Sequence, residues 1–308
     1  MPVRGAMSLG LRRFGSLAAP LLLMLPASAW ASGVVVLRSS DLPVCVQSER
    51  AFRAVFRRRP VQVLSLAGLS MDAAAESLKW AKPEVVVAIG LKAALLARDA
   101  VPHTPLVYAL VPAPERHGLV GARITGVSAE VPPALELNVL RSLAPDVRSV
   151  GVVVGPLASD WTRDAYQAAA RLGLELNVAT VDGLDQLGPR VRDLASHNDA
   201  IWLAPDPDVA TPEVFRLELA QSLAHRVPLL SFAPPLVSAG ALVAAAPDLD
   251  WLGAHLAEMT RRIIAGERPG SIPAGPIRRV RPMVNLATAR AIGREVPGAA
   301  LGNAEVIR

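Results

Sequence analysis

The chain has 308 residues, of which 52% are hydrophobic, and 32 lysines and arginines against 27 aspartates and glutamates give it a formal net charge of +5. This charge does not form the concentrated basic surface expected of a nucleic-acid-binding protein, so that class is excluded. A single cysteine excludes an internal disulfide, and without a Cys-x-x-Cys pattern we expect Cys45 to be a small core residue.

Residues 1–31 read as an export signal. Three arginines precede an apolar run over residues 17–26, and the small-residue sequence Ala29-Trp30-Ala31 is suited to signal peptidase. The run is shorter than the roughly 18 residues of a membrane-spanning helix. We therefore expect cleavage near Ser32 and a periplasmic protein whose net charge is 29 − 27 = +2. Because Cys45 lies well downstream of the apolar run, we do not expect a lipoprotein.

Short β-rich runs recur along the rest of the chain, and most are separated by 10 to 16 residues of amphipathic helical pattern. Apolar strands alternating with helices are typical of a parallel sheet covered on both faces. We therefore predict an α/β protein, and its length supports two cores. The predicted strands are Val34–Leu37, Val61–Leu64, Val85–Ile89, Leu106–Ala109, Ile124–Val127, Val150–Val154, Leu174–Ala179, Ala200–Leu203, Leu229–Phe232 and Ala241–Ala244.

Several helix starts can be recognised from their capping residues. Ser70, Thr211 and Asp248 each precede a helical pattern with an acid in its first turn, and Pro212 follows Thr211 at a position that suits proline. Ser159 and Asp160 precede another helical pattern. These positions predict where helices begin relative to the strand ends.

Three sequence strings carry a resemblance to a known family. They are Arg123-Ile-Thr-Gly-Val-Ser128, Val237-Ser-Ala-Gly-Ala-Leu242 and Val284-Asn-Leu-Ala-Thr-Ala-Arg-Ala-Ile-Gly293, with three strand-helix units after the first. In this order they resemble the periplasmic substrate-binding proteins of ABC importers, in the branch that includes tryptophan and tyrosine binders. The resemblance covers roughly residues 33 to 296.

The resemblance implies a type I periplasmic-binding-protein fold, with two doubly wound parallel-sheet lobes joined by a hinge. It places residues 32–127 and 245–270 in an N-terminal lobe and residues 128–244 and 276–296 in a C-terminal lobe, with 297–308 as a C-terminal tail. A proline-rich segment, residues 269–282, would return the chain between the lobes. The expected motion is closure of the two lobes around a ligand.

Ligands of parallel α/β sheets bind beyond the carboxyl ends of the strands. Applied to the predicted strands, this rule selects residues that should face one another across the cleft. In the first lobe they are Ser39, Ser40, Gly90, Leu91 and Tyr108, and in the second Ser128, Ser159, Trp161, Asp206, Ser231 and Phe232.

The site departs from the family's pattern at three positions. Its Ile-Gly-Thr turn reads Ile89-Gly90-Leu91 here, its Asp-Pro reads Ala113-Pro114, and an acid usual after a second-lobe strand is missing from 231–235. Asp206 matches a family acid and is the one plausible partner for a ligand ammonium, with a turn residue as its alternative role. Tyr108 and Trp161 could stack on a ring, although for Trp161 packing within a lobe is an equal alternative.

We find no sequence motif for catalysis, a metal or a cofactor. Gly-x-Ser-x-Gly, phosphate-binding, dinucleotide-binding and His-Glu-x-x-His patterns are all missing, and the five histidines are scattered. We therefore expect a monomeric solute-binding protein, not an enzyme, that delivers a small organic ligand, with an aromatic amino acid as one candidate, to an ABC permease. The alternative is a sensor or adaptor acting with a signalling receptor, and a hydrolase using Asp206 ranks last.

Overall fold

A computed structural model describes residues 33–57 and 59–308, so the predicted export signal, residues 1–31, lies outside the described residues. The structure contains two sheets of mainly parallel strands with helices on both faces. The predicted α/β class with two doubly wound lobes is thereby confirmed. Within the described part of the chain, no helix has both the length and the apolar character that crossing a membrane requires.

The first sheet is entirely parallel, with the strand order β2-β1-β3-β4-β5. Its strands are rich in valine and nearly all of β1, β3 and β4 is buried, as expected of strands between two helix layers. The strands are β1 (Val34–Arg38), β2 (Val61–Ser65), β3 (Val85–Ile89), β4 (Leu106–Val111) and β5 (Ile124–Ser128), and the helices between them are α1 (Pro43–Val55), α2 (Met71–Ala81) and α3 (Leu91–Ala100).

The second sheet has seven strands, in the order β12-β11-β10-β9-β8-β6-β7, and all pairs are parallel except β10 with β11. Its strands are β6 (Ser149–Val154), β7 (Glu175–Thr180), β8 (Ala200–Leu203), β9 (Leu229–Ser231), β10 (Val243–Pro247), β11 (Val280–Asn285) and β12 (Glu305–Ile307). The remaining helices of the chain are α4 (Pro133–Leu143), α5 (Ser159–Leu172), α6 (Leu184–His197), α7 (Pro212–His225), α8 (Pro234–Ser238), α9 (Leu249–Ile264), α10 (Leu286–Ala291) and α11 (Gly298–Leu301), of which all but α9 pack with the second sheet.

Four hydrophobic clusters cover the four faces of the two sheets. Residues of α1 and α9 pack on one face of the first sheet and residues of α2 and α3 on the other. In the second sheet, α4 and α5 cover one face and α6 and α7 cover the other. Each lobe therefore has its own core on both sides of its sheet.

Helix α9 belongs to the first lobe although the strands before and after it belong to the second. Its residues Leu252 and Leu256 are fully buried and share a core with Phe52 of α1. The chain therefore crosses between the lobes three times, near residues 128–132, 247–248 and 272–280. The returning segment is bonded to both others, since Gly275 O accepts from Ser128 N at 2.9 Å and Arg279 O accepts from Asp248 N at 3.0 Å.

Two segments that the sequence analysis did not predict as strands form β11 and β12 of the second sheet. The proline-rich return segment ends in β11, where Pro282 lies opposite Ala245 of β10. The expected C-terminal tail, residues 297–308, instead contains α11 and the edge strand β12, in which Val306 pairs with Val284. Leu301 and Val306 pack on the second-lobe core, so the last residues of the chain contribute to the stability of this lobe.

The predicted helix starts agree with the structure at three of four positions. The side chains of Ser70, Thr211 and Asp248 accept hydrogen bonds from backbone N–H groups in the first turns of α2, α7 and α9. At α5 the N-cap residue is Ala158, which has no side-chain acceptor, and Ser159 is the first helical residue. The first N–H groups of α5 therefore have no side-chain cap, and they lie near the carboxyl end of β6.

Candidate ligand-binding site

The strand order of the first sheet reverses between β1 and β3, and such switch points are where ligands of α/β sheets bind. Ser39 follows β1 and Gly90 follows β3, so the structure brings these two predicted residues together. Ser39 N donates to Ile89 O at 2.9 Å, and Ser39 Oγ accepts from Ala93 N at 2.9 Å. The Ser39 hydroxyl thus accepts a hydrogen bond from one of the N–H groups in the first turn of α3.

Gly90 is required at this position by both conformation and space. Its φ is +90°, and a Cβ added there would lie 2.6 Å from Ser39 Oγ. The turn between β3 and α3 can therefore lie this close to Ser39 only if residue 90 has no side chain. Leu91, the first residue of α3, is half-buried beside it, and the Ser40 hydroxyl lies 3.7 Å from Cys45 Sγ.

Tyr108 lies in the middle of β4, within the core of the first lobe. It is 2% exposed and faces the α2 and α3 layer, where it contacts Gly126 of the adjacent strand. Burial raises the pKa of its hydroxyl to about 12, and the nearby carboxylates of Glu115 and Glu130 add to this rise. Stacking of Tyr108 on a ligand, which the sequence analysis allowed, would require its ring to leave this core.

The second sheet has an equivalent switch point between β6 and β8. Asp206 follows β8 and is 8% exposed. Its Oδ2 accepts from Gly155 N, just after β6, at 2.7 Å, and its Oδ1 accepts from Asp208 N at 3.1 Å. The two lobes thus share an arrangement. A polar side chain that follows one strand of the switch point accepts a hydrogen bond from a backbone N–H that follows the neighbouring strand.

Trp161 packs into the second lobe, which is one of the two roles predicted for it. Its ring lies 4.7 Å from the ring of Trp202 at 59°, and its Nε1 is buried with no acceptor among the described residues. Trp202 is fully buried, and its Nε1 donates to Glu136 Oε2 at 2.8 Å. Burial raises the pKa of Glu136 to about 8, although the Trp202 bond opposes this rise. Ser159, beside Trp161, is exposed.

The remaining predicted residues lie further along the same strand-end edges. Ser231 ends β9 and is fully buried, and its Oγ bonds to the backbone of Ala233. Phe232 is half-buried against the α6 and α7 core. Ser128 ends β5, and its backbone bond to Gly275 places it in the first crossing between lobes. The structure therefore groups Ser39, Ser40, Gly90 and Leu91 at one switch point and Ser159 and Asp206 near the other.

Arg38 is a further residue of this edge that sequence reasoning missed. It ends β1, its side chain is 13% exposed, and its guanidinium lies 3.0 Å from Asp41 and 3.7 Å from Glu49. The signal was a charged residue at the end of an otherwise apolar strand, directly before Ser39. Asp208 was missed as well, because only the fold shows that it lies against Gly155.

Four surface cavities of the described residues, with volumes of about 300 to 620 Å³, lie away from both switch points. One of about 620 Å³ lies between the ends of α1 and α9, and another of about 550 Å³ runs along β7 and α6. The described residues also contain no group of three or more histidine, cysteine or acidic side chains that could hold a metal ion. The two switch points are selected instead by the strand order and by the rule that ligands of parallel sheets bind where this order reverses.

Comparisons with known proteins agree with this architecture. The model of a family described as ABC transporter substrate binding protein matches residues 68–306. A curated tyrosine-binding protein from Clostridioides difficile is 20% identical over 220 residues, which are 68% of this chain and 63% of that relative. The match thus spans less than two thirds of the relative's length.

Solved structures show the same fold at low sequence identity. The ligand-free, open structure of a substrate-binding protein with adhesive properties from Clostridium difficile is 18% identical, with a TM-score of 0.72 over 89% of this chain and 98% of that one. A domain from Streptococcus pneumonia in complex with L-Trp is 20% identical, with a TM-score of 0.58 over 90% and 99%.

Proposed function

This chain belongs to the ABC transporter substrate-binding protein family, and on that premise we propose that it captures a small organic ligand between its two lobes for an ABC importer. The observation that carries the proposal is the matching pair of switch points. Each has a polar side chain, Ser39 or Asp206, bonded across neighbouring strand ends, next to a helix N-terminus. That edge of a parallel sheet is the one at which ligands bind.

An aromatic amino acid is the ligand class that we favour. The curated relative is named for tyrosine, and a structural relative holds L-Trp. An amino acid needs a carboxylate partner for its ammonium and N–H donors for its carboxylate. Asp206 can supply the first, since each of its oxygens accepts only one bond among the described residues. The N-termini of α3 and α5 can supply the second.

We further propose that the protein works in the periplasm as a monomer, with an ABC permease of the inner membrane as its partner. The basis is the export signal that residues 1–31 resemble, the lack of a cysteine close behind it, and the small net charge that remains after cleavage. Nucleic acid is not an expected partner.

Thermal shift and calorimetry with the twenty amino acids test the proposed function. We expect L-tryptophan or L-tyrosine to raise the unfolding temperature, since a ligand at 100 times its Kd adds about 2.7 kcal/mol of stability. Asp206→Asn should weaken binding about tenfold or more, because a charged hydrogen bond is lost. Asp193→Asn, an exposed acid near the end of α6, is the control that should leave binding unchanged. If no small solute binds, the transport role fails.

A sensor or adaptor is a second function with specific support. The position of a usual family acid is occupied by Ala113, and residues 231–235 contain no acid. A cleft with fewer charged groups would suit a scaffold that binds a signalling receptor. Neighbouring genes separate the two functions: a permease and an ATPase favour import, whereas a histidine kinase alone favours sensing.

A further inference from the structure

The last two residues of β4 and the two that follow it, residues 110–113, have an unusual backbone and are together called the β4 loop below. Leu110 has a φ of +54° and Ala113 a φ of +41°, and the pairing of β4 with β5 is irregular between Ala109 and Val111. Residues with a Cβ rarely adopt this left-handed region. Such conformations persist only where the surroundings hold them, and they cluster at functional sites.

Two hydrogen bonds from the first interlobe crossing hold the β4 loop in place. Glu130 Oε1 accepts from Ala113 N at 2.7 Å, and Ala129 N donates to Val111 O at 3.0 Å. A carboxylate that accepts from an N–H makes a stronger bond than a neutral oxygen does. Glu130 therefore stabilises the left-handed backbone conformation of Ala113.

Glu130 is also bonded to the segment that returns between the lobes. Its main-chain oxygen accepts from Ile277 N at 3.0 Å, and Ile277 is fully buried in the first-lobe core. The side chain of Glu130 thus contacts the β4 loop while its backbone contacts the hinge. A movement of the crossing at residues 128–132 must pull on Ala113 unless this bond breaks.

We propose that Glu130 is a positioning residue that couples the conformation of the β4 loop to the interlobe hinge. The loop lies at the carboxyl end of β4, on the edge where we place the ligand, so its link to binding rests on the proposed function.

Residue-resolved amide exchange tests the coupling without any ligand. In Glu130→Ala, exchange of the Ala113 amide should accelerate about tenfold or more, as expected for loss of a charged hydrogen bond. Glu130→Gln, whose amide oxygen can still accept, should restore much of the protection. Glu115→Ala is the matched control, since this exposed acid makes no side-chain hydrogen bond among the described residues. Unchanged Ala113 exchange in Glu130→Ala would overturn the proposal.

A second variant separates positioning from general stability. Ala113→Gly removes the penalty for a positive φ, so the loop should need less support. We expect Glu130→Ala to accelerate exchange at residues 110 and 111 clearly less in the Ala113→Gly background than in the natural chain. Equal acceleration in both backgrounds would mean that Glu130 does not hold the strained conformation, and it would reject the proposal.

Binding of L-tryptophan and L-tyrosine provides the functional readout. Glu130→Ala should lower the affinity of whichever amino acid binds, about tenfold, and Glu130→Gln should lower it less. If neither binds the natural protein, the proposed function loses its favoured ligand while the exchange measurements still decide the role of Glu130. If the natural protein binds one of them and Glu130→Ala binds it as tightly, the coupling to the site is refuted.

Discussion

At the scale of the residue, Gly90 offers the sharpest test of the first-lobe switch point. Gly90→Ala would combine an unfavourable φ with a Cβ 2.6 Å from Ser39 Oγ. We expect a loss of roughly 2 to 4 kcal/mol in the free energy of unfolding, measured with urea. Gly173→Ala is a matched control, because Gly173 also has a positive φ, +65°, but nothing lies within 4 Å of its added Cβ. Equal losses in the two variants would contradict the close approach of Ser39.

Two buried glutamates make stability depend on pH. Burial raises the pKa of Glu136 and that of Glu218 to about 8 from an ordinary value of 4.5. The folded state therefore holds protons that the unfolded state releases, and stability falls as the pH rises from about 4.5 to about 8. Each group contributes a slope of about 1.4 kcal/mol per pH unit at most.

Glu136→Gln should remove one of these two contributions. The glutamine keeps an oxygen for Trp202 Nε1 but cannot ionise. We expect urea unfolding at pH 5 and pH 8 to show a smaller difference in the variant, which should be the more stable protein at pH 8. Adding Glu218→Gln should flatten the dependence further. A pH dependence equal to that of the natural protein would show that Glu136 is ionised in the fold.

At the scale of the element, the sequence predicted the apolar strands well and the irregular ones poorly. All ten predicted runs overlap strands of the two sheets, with ends that differ by a few residues. Strand β11 was missed because Arg281 and Pro282 break its apolar run, and an internal proline argues against a central strand. It is tolerated because β12 pairs only with residues 283–285 of β11, so Pro282 has a neighbouring strand on one side alone. Strand β12 has only three residues, too few for a periodic pattern.

The pairing of β12 predicts that the C-terminal residues are structural. A chain that ends at residue 296 would lose the β11–β12 pairing and the packing of Leu301 and Val306 on the second-lobe core. Burial of two such side chains contributes on the order of 2 to 5 kcal/mol. We expect the truncated protein to unfold at a lower urea concentration. A midpoint equal to that of the full chain would mean that residues 297–308 are a dispensable tail.

At the scale of the whole molecule, the strand-end rule predicted the edges of the site but not its internal bonds. Ser39, Gly90 and Asp206 were selected because each follows a strand, and the fold groups them at two switch points. The partners of these residues depend on strand order, which periodicity does not encode. Glu130 was missed for the same reason, since it precedes a helix in sequence and reaches back to Ala113 only in three dimensions.

The three crossings between the lobes predict how the protein moves when it binds. The returning segment is hydrogen-bonded to both Ser128 and Asp248, so the three crossing segments should bend together. Such bending would close the two lobes as rigid bodies. We expect the radius of gyration from small-angle X-ray scattering to fall on addition of whichever of L-tryptophan and L-tyrosine binds. Asp206→Asn, measured at a ligand concentration near the Kd of the natural protein, should stay close to the ligand-free value. Binding in the calorimeter without any change in the radius of gyration would contradict closure, and would place the ligand on one lobe alone.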